Sequence, residues 1–600
     1  MPNPYPTPAR RTLQIFAFDP MIARTERRRL TLDIANEELE PGPQGSRIQV
    51  IDYDGALDEL YEPVNLDHPS VLMNDGLAPS ESDPRFHQQM VYAVAMKVVE
   101  NFEKALGRKL RFSHARKGRP RGGDSRLRIY PHAFEGANAF YDPDRVALLF
   151  GYFRADLENP GPNLPGQTVF TCLSHDIIAH ETTHALVHRL RKHFTDATNS
   201  DVLAFHEAFS DIVAIFQHFS FREVLADTIQ KTRSDLRSQS ALIELASQFG
   251  YATGSGRALR DAIDASAKTE HEDGKEAKPD ATLMTTLFEP HDRGSILVAA
   301  VFDAFFRVYQ RRIRDLVRIA TGGSGVLPAG DLHPDLVNRI AGEASRTAQN
   351  ILTMCIRAIE YLPPVDVTFG DFLRALVTAD FQMVPDDEAG MRATMIESFR
   401  TRGIFPQGVT SLAEDSLLWR APAQPLQLPF KPYEQRLAEN LRAFDRWGKT
   451  IPPRDEESAS MGKWAAMLKN WAKREASSLG LDPAFEISLL GFHTVFRVSP
   501  DGQLIVELVA QFSQIDRATE KDPEYGGVPF RGGATVIAGA DGIVRYVICK
   551  EMSEERRTRQ KQFVGQLDNT DVALAWCDDH YEAQRMRART NFAALHRGLY

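Results

Sequence analysis

Apolar and polar positions recur along the first part of the chain with two different periods. Residues 13–54 alternate between apolar and polar side chains around Pro41-Gly42-Pro43, which is typical of strands joined by turns. Between Asp83 and Leu106, apolar residues recur every three or four positions and predict a helix with one apolar face. Residues 110–153 again favour strands. The N-terminal part is therefore predicted to be rich in strands around one long helix.

The pattern becomes helical from residue 174 onward. The predicted helices span roughly residues 174–194, 201–219, 222–235, 294–318, 333–361 and 369–400. A stretch rich in Pro and Gln at 422–432 separates these helices from a last part. There we expect helices at 433–447 and 455–479 and two β-hairpins, with turns at Pro500-Asp501-Gly502 and Asp541-Gly542. Together these elements predict an α+β protein.

Length and composition limit the classes of function. The 600 residues are too many for one hydrophobic core, so two or three domains are expected. The apolar fraction of 43% and the charged fraction of 25% are those of an ordinary globular protein. A net charge of −10 argues against a nucleic-acid partner. No run of about 18 apolar residues occurs, so we expect no membrane span or membrane partner.

The cysteines and the N-terminus bear on the compartment. The four cysteines are far apart and form no C-x-x-C pair, which disfavours a zinc knuckle or a disulfide framework and suits a reducing compartment. Residues 1–23 contain prolines and charges where a secretory signal has a continuous apolar core. We therefore expect a cytoplasmic protein, with non-classical export and the oligomeric state left open.

The segment His180-Glu181-Thr182-Thr183-His184 carries the strongest chemical signal. Residues i and i+4 of a helix share a face, so His180 and His184 can present two imidazoles to one metal ion. Glu181 lies about 100° around the helix from His180, where it can act as a base without being a ligand. The pentapeptide alone is only moderately specific. The alternative reading is a pair of histidines on a partly buried helix that are satisfied by their neighbours.

A second helix strengthens the metal hypothesis. A catalytic zinc site needs three protein ligands and one open position. The next predicted helix contains Glu207 and Asp211 four positions apart, among apolar residues that indicate burial. Glu207 can serve as the third ligand, and Asp211 can accept the second N–H of a ligand histidine. The alternative for both carboxylates is an exposed acidic face, but buried carboxylates need partners.

At this point the chain resembles the thermolysin-like gluzincins, a family of zinc metallopeptidases. Residues 176–185 are similar to the active-site helix of that family, and residues 207–211 to its glutamate-ligand helix. Ala137-Asn138-Ala139-Phe140-Tyr141 resembles the edge strand that binds an extended peptide, so the resemblance makes Asn138 and Ala139 substrate contacts. The resemblance covers roughly residues 80–406 and implies one Zn²⁺ per chain.

Two further roles follow from the same resemblance. The segment 258–261 resembles the one whose arginine binds a substrate carbonyl, which makes Arg260 a substrate-binding residue. The segment 290–295 resembles the one whose histidine donates to the developing oxyanion, which makes His291 catalytic beside Glu181. Taken singly, Arg260 also reads as a surface arginine and His291 as a helix-entry histidine.

The chain departs from the secreted members of the family in several ways. His206 replaces the asparagine that precedes the glutamate ligand, and no tyrosine stands at the expected place between His184 and Glu207. Glu289 or Asp292 would have to replace the aspartate that steadies the oxyanion histidine. Asp176 matches a calcium ligand, but the acidic cluster that completes that site is missing, so calcium is not expected.

These expectations combine into one hypothesis. The family resemblance implies a two-lobed catalytic domain at residues 81–410, with lobes at about 81–180 and 181–410. It would follow a strand-rich extension at 1–80 and precede a linker at 411–432 and an α+β accessory domain at 433–600. The predicted function is a zinc metalloendopeptidase acting on a peptide or protein substrate. The alternative is a weak or inactive binding protein with the same fold.

Overall fold

The computed structural model describes ten stretches of the chain. They are residues 8–16, 29–112, 126–160, 163–219, 221–232, 279–327, 330–432, 455–499, 502–567 and 592–596. Their mixture of helices and strands confirms the α+β class.

The elements are numbered here in chain order. The strands are β1 (Arg10–Phe16), β2 (Arg29–Ala35), β3 (Ile48–Val50), β4 (Tyr53–Asp54), β5 (Glu59–Leu60), β6 (Leu127–Glu135), β7 (Ala139–Asp142), β8 (Ala147–Arg154), β9 (Thr168–Phe170), β10 (Ser488–Val498), β11 (Leu504–Ile515), β12 (Arg531–Gly539) and β13 (Val544–Lys550). The helices are α1 (Pro69–Leu72), α2 (Pro84–Leu106), α3 (His175–Leu190), α4 (Ser200–His218), α5 (Arg222–Thr232), α6 (Leu283–Thr286), α7 (Pro290–Ala320), α8 (Pro334–Ala358), α9 (Phe369–Phe381), α10 (Met391–Thr401), α11 (Glu414–Leu417), α12 (Asp455–Arg474), α13 (Glu554–Leu567) and α14 (Phe592–Leu595).

A mixed sheet forms the strand-rich part. Its order is β3-β6-β8-β7, with β9 also paired to β8. Strands β3, β6 and β8 are parallel, whereas β7 runs antiparallel to β8 at the end of the order. The predicted edge strand is therefore an edge strand in the fold. Strand β3 belongs to this sheet, and residues of the described stretches 8–16 and 29–80 share an apolar core with the residues that follow.

The long helix α2 fits its prediction closely. Asp83 caps its first turn by accepting a hydrogen bond from the Arg85 N–H, and Pro84 occupies the first helical position. Gly107 ends the helix with a φ of 68°, a conformation that suits glycine. Most of the helix is buried, because it packs between strands of the sheet and the later helices.

Helices α3, α4 and α7 build the region behind the sheet. Helix α3 packs along α4, and α4 packs along α7. A Cβ at Gly294 of α7 would lie 3.0 Å from the carbonyl oxygen of Ala204 and 3.3 Å from the amide nitrogen of Ala208. The missing side chain therefore lets α7 approach the backbone of α4 closely. This close crossing brings the start of α7 next to the middle of α4.

One predicted helix is wrong in its continuity. Residues 369–400 were expected to form one helix, but the structure has α9 and α10 with a break between them. Pro385 lies in the break, where its ring and missing N–H oppose helix continuation. Gly390 then adopts a φ of 61°, and the Asp387 carboxylate accepts a hydrogen bond from the Met391 N–H. These features end one helix and start the next.

The last part contains a four-stranded antiparallel sheet in the order β10-β11-β12-β13. Both predicted hairpins are confirmed, because β10 pairs with β11 and β12 with β13. One face of the sheet packs against α12 in a core of its own. The other face contributes Val509 and Ile537 to the main core. The predicted helix at 433–447 lies outside the described residues.

None of the described helices combines the length and the apolar composition needed to cross a lipid bilayer.

Candidate metal centre

Helix α3 places two imidazoles side by side. It is buried on nearly every face, because Ile177, Ile178 and Ala185 pack into the core around its polar residues. The Nε2 atoms of His180 and His184 lie 2.9 Å apart, as expected for histidines one turn apart on a helix. Neither residue is more than 2% exposed. The helix therefore directs two nitrogen donors to one point inside the protein.

Helix α4 adds a carboxylate at the same point. Glu207 Oε2 lies 3.2 Å from His180 Nε2 and 3.5 Å from His184 Nε2. The side chain is buried, and among the described residues Glu207 Oε1 has no hydrogen-bond partner. Three ligand atoms from two helices thus converge, and a cation bound among them would compensate a buried carboxylate whose hydrogen bonding is incomplete.

The donor separations fit a metal ion. Ligand atoms about 2.0 to 2.2 Å from a tetrahedral ion lie about 3.4 Å from one another. The three separations among His180, His184 and Glu207 run from 2.9 to 3.5 Å. With His596, these residues form a fully buried group that could hold a metal ion.

Further side chains orient the histidines. Asp211 Oδ1 lies 2.9 Å from His180 Nδ1, so the carboxylate can hold this imidazole with its Nε2 directed at the centre. His184 Nδ1 lies 2.8 Å from His206 Nδ1 and 3.2 Å from Ser210 Oγ. His206, which stands where the family pattern has asparagine, is thus placed to fix the second ring. Each histidine has a partner behind it.

The electrostatics of the centre favour a positive charge. Burial raises the pKa of the Glu207 carboxyl, but attraction by His184, His596 and His291 outweighs it, and the net pKa lies well below the usual range. Burial likewise opposes charge on His180, whereas Asp211 and Glu207 raise its pKa to about 9. Buried carboxylates therefore draw cationic partners to this point, and a metal cation meets the same demand.

Glu181 lies beside the centre. Burial raises the pKa of its carboxyl, but attraction by His596 and the two helix histidines makes the net shift downward. Its Oε1 atom is 3.1 Å from His596 Nδ1. The carboxylate thus contacts His596, a member of the converging group, without belonging to that group. Its role as a base stays a prediction.

His291 approaches from the first turn of α7. Its Nε2 atom lies 3.4 Å from Glu207 Oε2, and its Nδ1 atom lies 2.9 Å from Glu289 Oε1. Burial opposes charge on the ring, but Glu207 and Glu289 raise its pKa to about 10. Of the two residues expected to steady this histidine, the structure places Glu289 against it. His291 therefore directs Nε2 toward the centre and holds Nδ1 against Glu289.

The predicted substrate contacts have different outcomes. Asn138 directly precedes the edge strand β7, and Ala139 begins it. The Asn138 side-chain amide donates to the Ala593 carbonyl oxygen at 3.0 Å, and His596 Nδ1 lies 3.1 Å from the Ala139 carbonyl oxygen. Asn138 thus contacts Ala593, and Ala139 contacts His596, which belongs to the possible ligand group. Arg260 lies outside the described residues.

Asp176 has nitrogen neighbours. Its Oδ1 atom lies 3.3 Å from His175 Nδ1 and 3.8 Å from His218 Nδ1. Calcium prefers six to eight oxygen ligands, so the nitrogen atoms of these histidines do not suit a calcium site. The expectation that the chain needs no calcium remains a prediction.

Sequence reasoning missed His596. This residue is buried, and its Nε2 atom lies 3.3 Å from Glu207 Oε2, although 389 positions separate the two in the chain. The segment around it, Ala594-Leu595-His596-Arg597, has no ligand spacing that could have indicated a role. Only the folding of the chain brings it to the centre.

Comparisons with known proteins add no family. No protein-family model matches the chain, and no curated protein sequence matches it either. The resemblance to thermolysin-like peptidases therefore rests on the sequence motifs and stays a prediction.

Proposed function

We propose that this chain is a zinc-dependent peptidase of the thermolysin-like type. The observation that carries the proposal is the convergence of His180, His184 and Glu207 with Glu181 directly beside them on the same helix as the two histidines. A donor set of two imidazoles and one carboxylate suits zinc, whereas calcium and magnesium prefer oxygen alone. Bound there, zinc would activate water and polarise the scissile carbonyl.

The protein side chains supply the remaining steps. An extended peptide would lie against the edge strand β7, held by the Asn138 side chain and the Ala139 carbonyl oxygen. Glu181 would accept a proton from the attacking water and pass it to the leaving amine. His291 would donate from Nε2 to the oxyanion, with Glu289 holding its Nδ1 side. Asp211 and His206 would keep the two helix histidines in position. The role of Arg260 stays a prediction from the resemblance.

A second candidate is a gluzincin-fold binding protein with weak or no turnover. The presence of His596 among the possible ligands favours it, because a metal with four protein ligands is typical of structural sites. The lack of the family's tyrosine between His184 and Glu207 points the same way. The intact Glu181 favours the peptidase. In either case we propose a cytoplasmic location.

The test is zinc content combined with hydrolysis of a peptide library by the full chain. Glu181→Gln should keep its zinc and lose about 10²- to 10⁴-fold in cleavage rate, because it removes the general base. Glu397→Gln, which changes an exposed glutamate paired with Arg400, should leave cleavage unchanged. Cleavage that survives Glu181→Gln contradicts the mechanism. Zinc binding without cleavage, in the wild type and in the His596→Asn variant introduced below, favours the binding protein.

A further inference from the structure

Residues 592–596 occupy the place where a substrate of the proposed peptidase would bind. These residues form one helical turn, closed by a hydrogen bond of 2.9 Å from the His596 N–H to the Phe592 carbonyl oxygen. Phe592 and His596 are at most 1% exposed. The turn packs on the edge strand β7, and Asn138 and Ala139 contact it. This position against β7, which the proposed peptidase would use as its substrate groove, is thus filled by residues of the protein itself.

The orientation of His596 is that of a metal ligand. Its Nδ1 atom lies 3.1 Å from both Glu181 Oε1 and the Ala139 carbonyl oxygen. Ligand histidines characteristically donate one ring N–H to a carboxylate or a carbonyl and use the other nitrogen for the metal. Nε2 of His596 lies on the other side of the ring, 3.3 Å from Glu207 Oε2 and within the ligand group. The ring therefore has both halves of the ligand arrangement.

Phe592 anchors the turn. Its ring lies 4.5 Å from the ring of His184 and 5.2 Å from that of His206, and it also packs near Tyr141. This aromatic contact buries a large apolar side chain directly against a ligand helix. Because Phe592 and His596 are joined by one helical turn, seating the phenylalanine places the imidazole over the centre.

The turn blocks the site without resembling a substrate. An extended peptide would pair with the edge strand, whereas this turn forms its backbone hydrogen bond internally and offers an imidazole. With His180, His184, Glu207 and His596 as ligands, the coordination would be closed, and the open position of a catalytic zinc would be lost. Glu181 is engaged by the same imidazole. One residue thus removes both the open position and the base.

We infer that residues 592–596 keep the metal centre in a latent state, with His596 as a fourth, displaceable ligand. The regulatory meaning of this contact rests on the proposed peptidase function, whereas the ligand role of His596 does not. Activity then requires the 592–596 turn to leave the groove. If the turn is seated more than about nine-tenths of the time, its removal increases access to the metal at least tenfold.

The experiment uses the zinc-loaded and the cobalt-loaded full chain. His596→Asn keeps a side-chain N–H that can reach Ala139 but removes the ligand nitrogen. Phe592→Ala leaves the imidazole and removes the anchor. His333→Ala, at an exposed helix start, is the control. Three readouts are the visible absorption of bound cobalt, the affinity for acetohydroxamate as a small probe of an open metal position, and peptide cleavage.

We expect His596→Asn to change the cobalt spectrum and to bind acetohydroxamate at least about tenfold more tightly than wild type. Phe592→Ala should shift the hydroxamate affinity in the same direction, and His333→Ala should shift nothing. A synthetic peptide of residues 589–600, added to His596→Asn, should restore the wild-type spectrum, whereas the same peptide with asparagine at position 596 should not.

The outcomes separate the two proposals. A changed spectrum, tighter hydroxamate binding and increased cleavage support both the latent state and the peptidase. A changed spectrum and tighter hydroxamate binding with no cleavage by any variant keep His596 as a displaceable ligand and remove the peptidase. Spectra and hydroxamate affinities identical in wild type, His596→Asn and Phe592→Ala overturn the inference, whatever the cleavage rates are.

Discussion

Two of the three buried histidine groups in the described part of the chain differ in geometry, although both are rich in histidine. The convergent cluster consists of His180, His184, Glu207 and His596, whose ligand atoms surround one point. The second cluster, the hydrogen-bonded cluster, is a linear series of hydrogen bonds. Asp52 Oδ1 lies 2.6 Å from His132 Nδ1, His132 Nε2 lies 2.8 Å from His87 Nδ1, and His87 Nε2 lies 3.2 Å from the Glu81 carbonyl oxygen.

The direction of the nitrogen atoms separates the two clusters. In the hydrogen-bonded cluster, each ring nitrogen of His87 and His132 points to a separate hydrogen-bond partner, so the polar atoms satisfy one another. In the convergent cluster, several Nε2 atoms point to the same carboxylate. Cys172 lies close enough to His87 and His132 for the three to hold a metal, but burial raises the pKa of its thiol well above the usual range. A thiol is a poor ligand compared with a thiolate. We therefore expect the hydrogen-bonded cluster to have a structural role and the convergent cluster to bind one zinc ion.

The largest expected difference is in zinc binding after loss of one histidine. Zinc binding of about 10 to 16 kcal/mol over four ligands gives about 3 to 4 kcal/mol per ligand, so His184→Ala should weaken zinc binding by roughly 10² to 10³. His132→Ala is the matched change in the hydrogen-bonded cluster, and this variant should still bind one zinc ion per folded protein. Elemental analysis after dialysis measures both. Two zinc ions per wild-type chain would break the comparison, as would zinc loss in His132→Ala.

The hydrogen-bonded cluster should make the free energy of unfolding decrease at acid pH. Burial first, and then repulsion by His132, lower the pKa of His87 to about 3, against about 6.5 in an unfolded chain. Protonation therefore favours the unfolded state, and the free energy of unfolding falls as the pH drops from about 6.5 toward 3. At pH 4 this site should cost about 3 kcal/mol relative to neutral pH.

His87→Gln tests this sign. Glutamine can still donate to the Glu81 carbonyl oxygen, and the neighbouring titratable side chains of Asp83 and His132 are unchanged. The variant should lose less stability than wild type between pH 7 and pH 4 in urea unfolding. Parallel pH profiles for the two proteins would show that His87 is not held neutral by its surroundings.

The smallest expected effect concerns the carboxylates behind the histidines. Asp211 contacts Nδ1 of His180 at 2.9 Å, and Asp52 contacts Nδ1 of His132 at 2.6 Å. Asp211→Asn should weaken zinc binding by about 10- to 100-fold, because it removes the partner that orients a ligand. Asp52→Asn should leave zinc affinity unchanged and lower stability only. Competition with a chromophoric chelator measures both affinities. Equal effects on zinc would mean that the two carboxylates are not distinguished by the metal.

Local pattern predicted much of the secondary structure. The period of apolar residues located α2, and the turn residues located both C-terminal hairpins. The same method joined α9 to α10, because the apolar period continues on both sides of Pro385 and Gly390. A period reports which face is buried and not whether the backbone is continuous, so the break escaped it.

The candidate site divides in the same way. Helical spacing alone put His180 beside His184, and Glu207 beside Asp211, on single faces. The meeting of the two helices could not follow from spacing, because it depends on how α3 packs along α4. His206 was noticed in the sequence only as a departure from the family pattern, and the structure gives it a partner in His184.

The sequence by itself determined that His180 and His184, and likewise Glu207 and Asp211, share a helix face, because a helix fixes the direction of side chains four positions apart. Tertiary structure alone decided which of them share a centre. It brought His291 against Glu207 and placed His596 over Glu181 and Glu207, across 389 positions of the chain in the last case. Contacts of that separation are set by the packing of whole elements, and no local period encodes them.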